Sequence, residues 1–152
     1  MEGKRRLLIR SPWQKSNHRS AHIEARLGIA RRLASPAYPF DEERFRDMAG
    51  RSYERGYNPA GIARQLHAIT ASGDRTSGLR ELELPALVIH GRNDLLVNPS
   101  GGRATAKAIP GARLKMVDGM GHDLPRAAWD QIVAAIVENA RRAGFSRSRA
   151  AA

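Results

Sequence analysis

The stretch LVIHGRNDLLVNP, residues 87–99, changes character at its midpoint. Its first part continues from Leu84-Pro85-Ala86 as one apolar run, closed by Pro85 on one side and Gly91 on the other. That is how a strand buried on both faces of a parallel sheet reads. The chain then turns through Arg92, Asn93 and Asp94. A second stretch, DGMGHDLP at residues 118–125, repeats the pattern and sets His122 between Gly121 and Asp123. It follows ARLKMV, in which Leu114 and Met116 alternate with Arg113 and Lys115, the period of a strand with one face less buried.

Helical patterns surround these strands. NPSGGRATAKAI, residues 98–109, opens on Asn98-Pro99 and stops at Pro110-Gly111, the signals of a capped helix start and a break. In RAAWDQIVAAIVENARRA, residues 126–143, Trp129, Ile132, Val133, Ile136, Val137 and Ala140 form a continuous apolar stripe. Residues 84–143 therefore read strand–helix–strand–helix. A crossover helix between the strands implies a right-handed parallel βαβ unit.

Upstream, Ile23, Leu27, Ala30 and Leu33 share one face of a helix over residues 22–34. SPAYPF breaks it, because Pro36 and Pro39 disfavour continuation. Asp41 suits a helix cap, Glu42 and Glu43 suit the positive end of a helix dipole, and Gly56 marks a stop. Asn58-Pro59 restarts a helix whose apolar side is Ile62, Leu66 and Ile69.

Composition narrows the function classes. The 152 residues carry a net charge of +11. The excess sits at the ends: residues 1–32 hold nine Lys/Arg against Glu2 and Glu24, whereas residues 33–137 hold 13 against 12 acidic residues. Without interleaved aromatics or a reading module, this distribution argues against a nucleic-acid function. No apolar run approaches the roughly 18 residues of a membrane span, no secretory leader is visible, and the expected compartment is the cytoplasm. With no cysteine, thiolate metal sites and disulfides are excluded. His18 and His22 have helical i,i+4 spacing but no third ligand nearby, so neither a metal nor a cofactor is expected. His67 belongs on a helix flank rather than in a site.

Asp94 and His122 each lie just past the end of a strand, where open parallel sheets bind ligands. A lone Asp in such a turn ordinarily serves local hydrogen bonds, and a lone His in a Gly-rich loop is ordinarily a loop residue. Together, on adjacent strands about 5 Å apart, they form a candidate acid–base pair. The carboxylate would fix the imidazole tautomer and stabilise the imidazolium. Gly119 and Gly121 would permit the turn that aims His122 inward.

In this order, acid then base, LPALVIHGRNDLLVNPSGGRATAKAIPGARLKMVDGMGHDLP resembles the last two strands of the α/β-hydrolase superfamily with their acid and base loops. The resemblance implies a partial α/β-hydrolase fold: a helical lid segment followed by a βαβα unit with two parallel strands. SPAYPFDEERFRDMAGRSYERGYNPAGIARQLHAITASGDR resembles the lid of esterase-like members, and the chain is loosely similar to aclacinomycin methylesterase-type hydrolases. It implies Asp94 as acid, His122 as base and a small ester-like substrate, with no residue assigned to binding it. Members with an Asp nucleophile cleave halides or epoxides on the same two loops, so the reaction subtype stays open.

One part of the pattern is missing. The family carries its nucleophile in G-x-S-x-G between a strand and a helix. AGRSYERG lacks the second glycine around Ser52, and TASGD and RTSGL lack the first. The expected organisation is a basic, weakly structured segment 1–20, a helical lid-like segment 21–80, the βαβα unit 81–143 and a disordered tail 144–152. The expected function is that of a truncated ester-hydrolase relative, inactive alone because nucleophile and oxyanion hole are absent. The alternative is a non-catalytic remnant or interaction module with basic ends, self-associating through an exposed sheet edge.

Overall fold

The computed structural model describes residues 12–142 and 144, with side chains described from His18 onward. The expectations for residues 1–11 and for the tail beyond Gly144 lie outside the described residues. The elements run α1 (Pro12–Leu33), α2 (Glu42–Gly56), α3 (Pro59–Ala71), α4 (Thr76–Arg80), β1 (Leu87–Gly91), α5 (Pro99–Ala108), β2 (Arg113–Val117), a 3-10 turn (Arg126–Ala128) and α6 (Trp129–Arg142). The chain divides into two units: the described residues up to Ala30 with Glu42–Tyr57, and Arg31–Asp41 with the chain from Asn58 onward.

The first unit pairs α1 with α2. Ile23, Leu27 and Ala49 are buried, and a Cβ at Gly50 would stand 3.7 Å from the Ile23 side chain. Arg19 donates to Glu54 at 2.8 Å across the two helices. The His22 ring lies 5.3 Å from Tyr53 and 4.9 Å from Tyr57, centroid to centroid. Helix α1 begins at Pro12, ten residues before the expected start, so residues 12–20 are helical rather than weakly structured. Gln14, Lys15, Arg19 and Ala21 are good helix formers without an apolar repeat, so periodicity gave no sign of that extension.

The second unit holds the βαβα element. Strands β1 and β2 are parallel, in the register Leu87 to Arg113 through Gly91 to Val117. Alternate residues of a strand point to opposite faces. Ile89 packs on the core of Val117, Met120, Ala128 and Ile132, so α6 covers its face. His90 points the other way, and its ring lies against Gly102 of α5. The two helices therefore sandwich a two-stranded sheet. Asn98 caps α5 by accepting from Ser100 N–H at 2.9 Å, and Asn58 caps α3 by accepting from Gly61 N–H at 3.0 Å.

Burial departs from the expected pattern. Leu87–His90 are only half-buried, because each strand of a two-stranded sheet is also an edge. Leu114 is exposed rather than inward. Of the α6 stripe only Ile132 is buried, while Trp129, Val133, Ile136 and Val137 are exposed. Ile62, Leu66 and Ile69 of α3 are exposed as well. The short helix α4 falls where the sequence showed no apolar repeat.

Candidate active site

Asp94 sits three residues beyond β1, and its two oxygens do different work. Oδ1 accepts from the backbone N–H of Leu96 at 2.8 Å and of Val97 at 2.9 Å. This is the local turn-forming role expected of an Asp after a strand. Oδ2 faces Nδ1 of His122 at 2.8 Å. The turn role and the pairing role coexist, one oxygen each, on a side chain only 7% exposed.

The same bonds set the charge state of the carboxyl. Burial opposes ionisation, but hydrogen bonds from Val97 N–H, His122 and Leu96 N–H outweigh it and hold the group below its ordinary value. An ionised carboxylate only accepts, so Nδ1 of His122 is the donor. In the neutral imidazole Nε2 then carries the lone pair, on a side chain that is 41% exposed.

Backbone bonds lace the two loops together. Arg92 N–H donates to Val117 C=O at 3.0 Å and Asn93 N–H to Met120 C=O at 2.9 Å. The Asn93 side chain accepts from Gly119 N–H at 3.1 Å, and Arg92 pairs with Asp118. Gly91 must lack a side chain, since a Cβ there would stand 2.3 Å from Met120 O.

Three further features were not found from sequence. The His90 side chain points its Nε2 at Val97 C=O, 3.0 Å away, and lies 3.8 Å from Asp94 Oδ2. A carbonyl only accepts, so Nε2 of His90 carries the hydrogen. Second, residues 33–38 lie along the loop that carries His122. His122 N–H donates to Leu33 C=O at 2.8 Å, Gly121 N–H to Ser35 Oγ at 2.9 Å, and Ala37 N–H to Gly119 C=O at 3.3 Å. Third, the Ser35 hydroxyl donates to Asp123. Gly119 has φ +70°, and a Cβ at Gly121 would meet Leu33 O at 2.5 Å. One glycine thus makes the turn and the other admits a close backbone approach.

In the two loops that carry the pair, Leu95, Leu96 and Leu124 are exposed. A cavity of about 400 Å³, lined by residues including Arg80, Pro85, Gly111 and Arg142, lies at the opposite end of the strands, away from Asp94 and His122. Among the described residues no group of three His, Asp or Glu side chains is placed to hold a metal ion, and no helix is long and apolar enough to cross a membrane.

No protein-family profile matches the chain. The chain is 28% identical over 123 residues, 80% of its length, to the rhodomycin D methylesterase DauP of Streptomyces sp. (strain C5). The rhodomycin D methylesterase DnrP of Streptomyces peucetius matches to the same extent. The non-heme chloroperoxidase CPO-A1 of Kitasatospora aureofaciens is 36% identical over 59 residues, 38% of this chain and 22% of that protein. The chain spans 41% of the length of the two methylesterases. These relatives bear out the resemblance to α/β-hydrolase-type esterases, and the α/β element with two parallel strands agrees with it.

Proposed function

We propose that this chain carries the acid and the base of an ester-hydrolysing α/β-hydrolase site, with Asp94 as acid and His122 as base. The observation that supports it is the 2.8 Å bond from His122 Nδ1 to Asp94 Oδ2, on a carboxylate whose other oxygen is already saturated by backbone N–H groups. In that arrangement Nε2 takes the proton of an attacking hydroxyl as the ester carbonyl becomes tetrahedral. Asp94 stabilises the imidazolium without being protonated. The same Nε2–H is then given to the departing alkoxide, and a water molecule repeats the cycle on the acyl intermediate. The exposed Leu95, Leu96 and Leu124 suit an apolar acyl or aromatic ester.

The chain offers no G-x-S-x-G nucleophile of its own. Acid and base without nucleophile and oxyanion hole do not accomplish acyl transfer, so the chain by itself is inactive in this reading. Incubation with a chromogenic short-chain ester should show no turnover that His122→Ala abolishes, and a fluorophosphonate probe should label no serine. A labelled serine would mean that this chain holds a nucleophile after all. Assignment of the catalytic pair itself fails if Asp94→Asn leaves the His122 ring tautomer, read by nitrogen-15 NMR, as it was.

A second reading is favoured by exposed apolar side chains. Val133, Ile136 and Val137 on α6, and Ile62, Leu66 and Ile69 on α3, suit an interaction module that buries them against a partner or another copy. Light scattering of the purified chain tests it. A monodisperse monomer that melts cooperatively contradicts it.

A further inference from the structure

We infer that Ser35 is a positioning residue for His122, acting as the keystone of a clamp formed by residues 33–37; the inference rests on the role of His122 proposed above. Ser35 is the buried polar residue among the described core, at 4% exposure. Its hydroxyl is used in both directions, accepting from Gly121 N–H at 2.9 Å and donating to the Asp123 carboxylate. Those are the residues on either side of His122. The His122 backbone N–H itself is held by Leu33 C=O, two residues from Ser35. Three successive residues of the base loop are therefore tied to one short segment more than 80 positions away in sequence.

A purely structural serine would satisfy one buried group. Ser35 also decides which carboxylate His122 meets. Asp123 is adjacent to His122 in the chain, and an unengaged Asp123 would compete with Asp94 for the imidazole N–H. Binding Asp123 to Ser35 withdraws that competitor. The backbone bonds on both sides meanwhile fix where the ring originates. The fit is tight, since the Leu33 and Ala34 carbonyl oxygens would stand 2.5 and 2.7 Å from a Cβ at Gly121.

The test is NMR on the intact chain, comparing wild type, Ser35→Ala, Ser35→Thr and Asp123→Ala. In Ser35→Ala the Gly121 amide should exchange about tenfold faster, as expected from the loss of roughly one net hydrogen bond, and the His122 amide, still bonded to Leu33 C=O, should exchange faster by a smaller factor as the clamp loosens. The His122 ring should change from a single Nδ1–H tautomer to a mixture. Amides of Val88 and Ile89 should be unchanged. Ser35→Thr keeps the hydroxyl and should restore the tautomer. Wild-type exchange and tautomer in Ser35→Ala would overturn the inference. If Ser35→Ala loosens the sheet amides too, Asp123→Ala decides: faster exchange at Gly121, whose acceptor hydroxyl has lost its anchor, with the ring still a single Nδ1–H tautomer supports the clamp; wild-type exchange at Gly121, or a mixed ring with the competing carboxylate gone, refutes it. A wild-type ring without an Nδ1–H bond to Asp94 would instead refute the proposed acid–base pair, while amide exchange still judges the clamp.

Discussion

The ring of His90 lies so close under Gly102 of α5 that a methyl group on that glycine would stand 2.8 Å from it. Strand and helix meet there at the closest approach a missing side chain allows. The same imidazole donates to Val97 C=O, and the N–H of Val97 holds Asp94. The loop that carries Asp94 is thus closed from beneath by a histidine with no proposed part in proton transfer.

Replacing His90 by Ala should therefore lower stability by about 1–3 kcal/mol, because a side chain only 12% exposed is lost from beneath α5 together with its bond to Val97 C=O. Gly102→Ala should cost a similar amount by displacing the ring. Chemical denaturation measures both. The double variant should be less destabilised than the sum of the two, since both changes break the same contact.

Asp94 makes the loop sensitive to acid. Its carboxyl pKa is lowered in the folded chain: burial works against the shift, but the bonds from Val97 N–H, His122 and Leu96 N–H prevail. A depressed carboxyl contributes stability that is fully present above its unfolded value near 3.9. That contribution is lost as pH falls through the lower folded value. The Asp94→Asn variant should show a flatter stability profile below about pH 4 than wild type, with thermal melting as the readout. Asp94→Ala, which also removes the acceptor for two backbone N–H groups, should lose about 2–3 kcal/mol at neutral pH.

At Gly121 there is no space for any side chain. Gly121→Ala would drive a methyl group into the Leu33 and Ala34 carbonyl oxygens, backbone atoms that cannot swing away. The expected loss is about 3 kcal/mol. The His122 ring signal should broaden at temperatures where wild type stays sharp. An unchanged melting curve would show that residues 33–34 yield at little cost.

The exposed stripe of α6 allows a clean separation of folding from association. Ile136 is 50% exposed, so Ile136→Glu should change stability by no more than about 0.5 kcal/mol. If α6 is covered by another copy in solution, the same substitution should shift light scattering towards monomer. Equal molar masses for variant and wild type would remove that face from consideration.

Much of the βαβα element was legible because its punctuation is local. Pro85 and Gly91 bracket β1, Asn98-Pro99 starts α5, and Pro110-Gly111 ends it. The meeting of Asp94 and His122 was legible through topology: parallel neighbouring strands deliver their following loops to one rim. Burial was less legible. The α6 stripe reads as a core face, yet hydrophobic spacing reports what a helix could cover and not what is present to be covered. Ser35 carried no signal at all. Its partners lie 86 and 88 positions away, and a serine between Ala34 and Pro36 looks like an ordinary helix terminator. The amino-terminal half of α1 escaped because a polar helix has no repeat to detect.

Cross-bonding between the loops after β1 and β2 has a mechanical consequence. With Asn93 fastened to both Met120 and Gly119, Asp94 and His122 cannot drift independently; any displacement carries the two loops as a single rigid jaw. In the proposed reaction an attacking group would then have one alignment to satisfy instead of two.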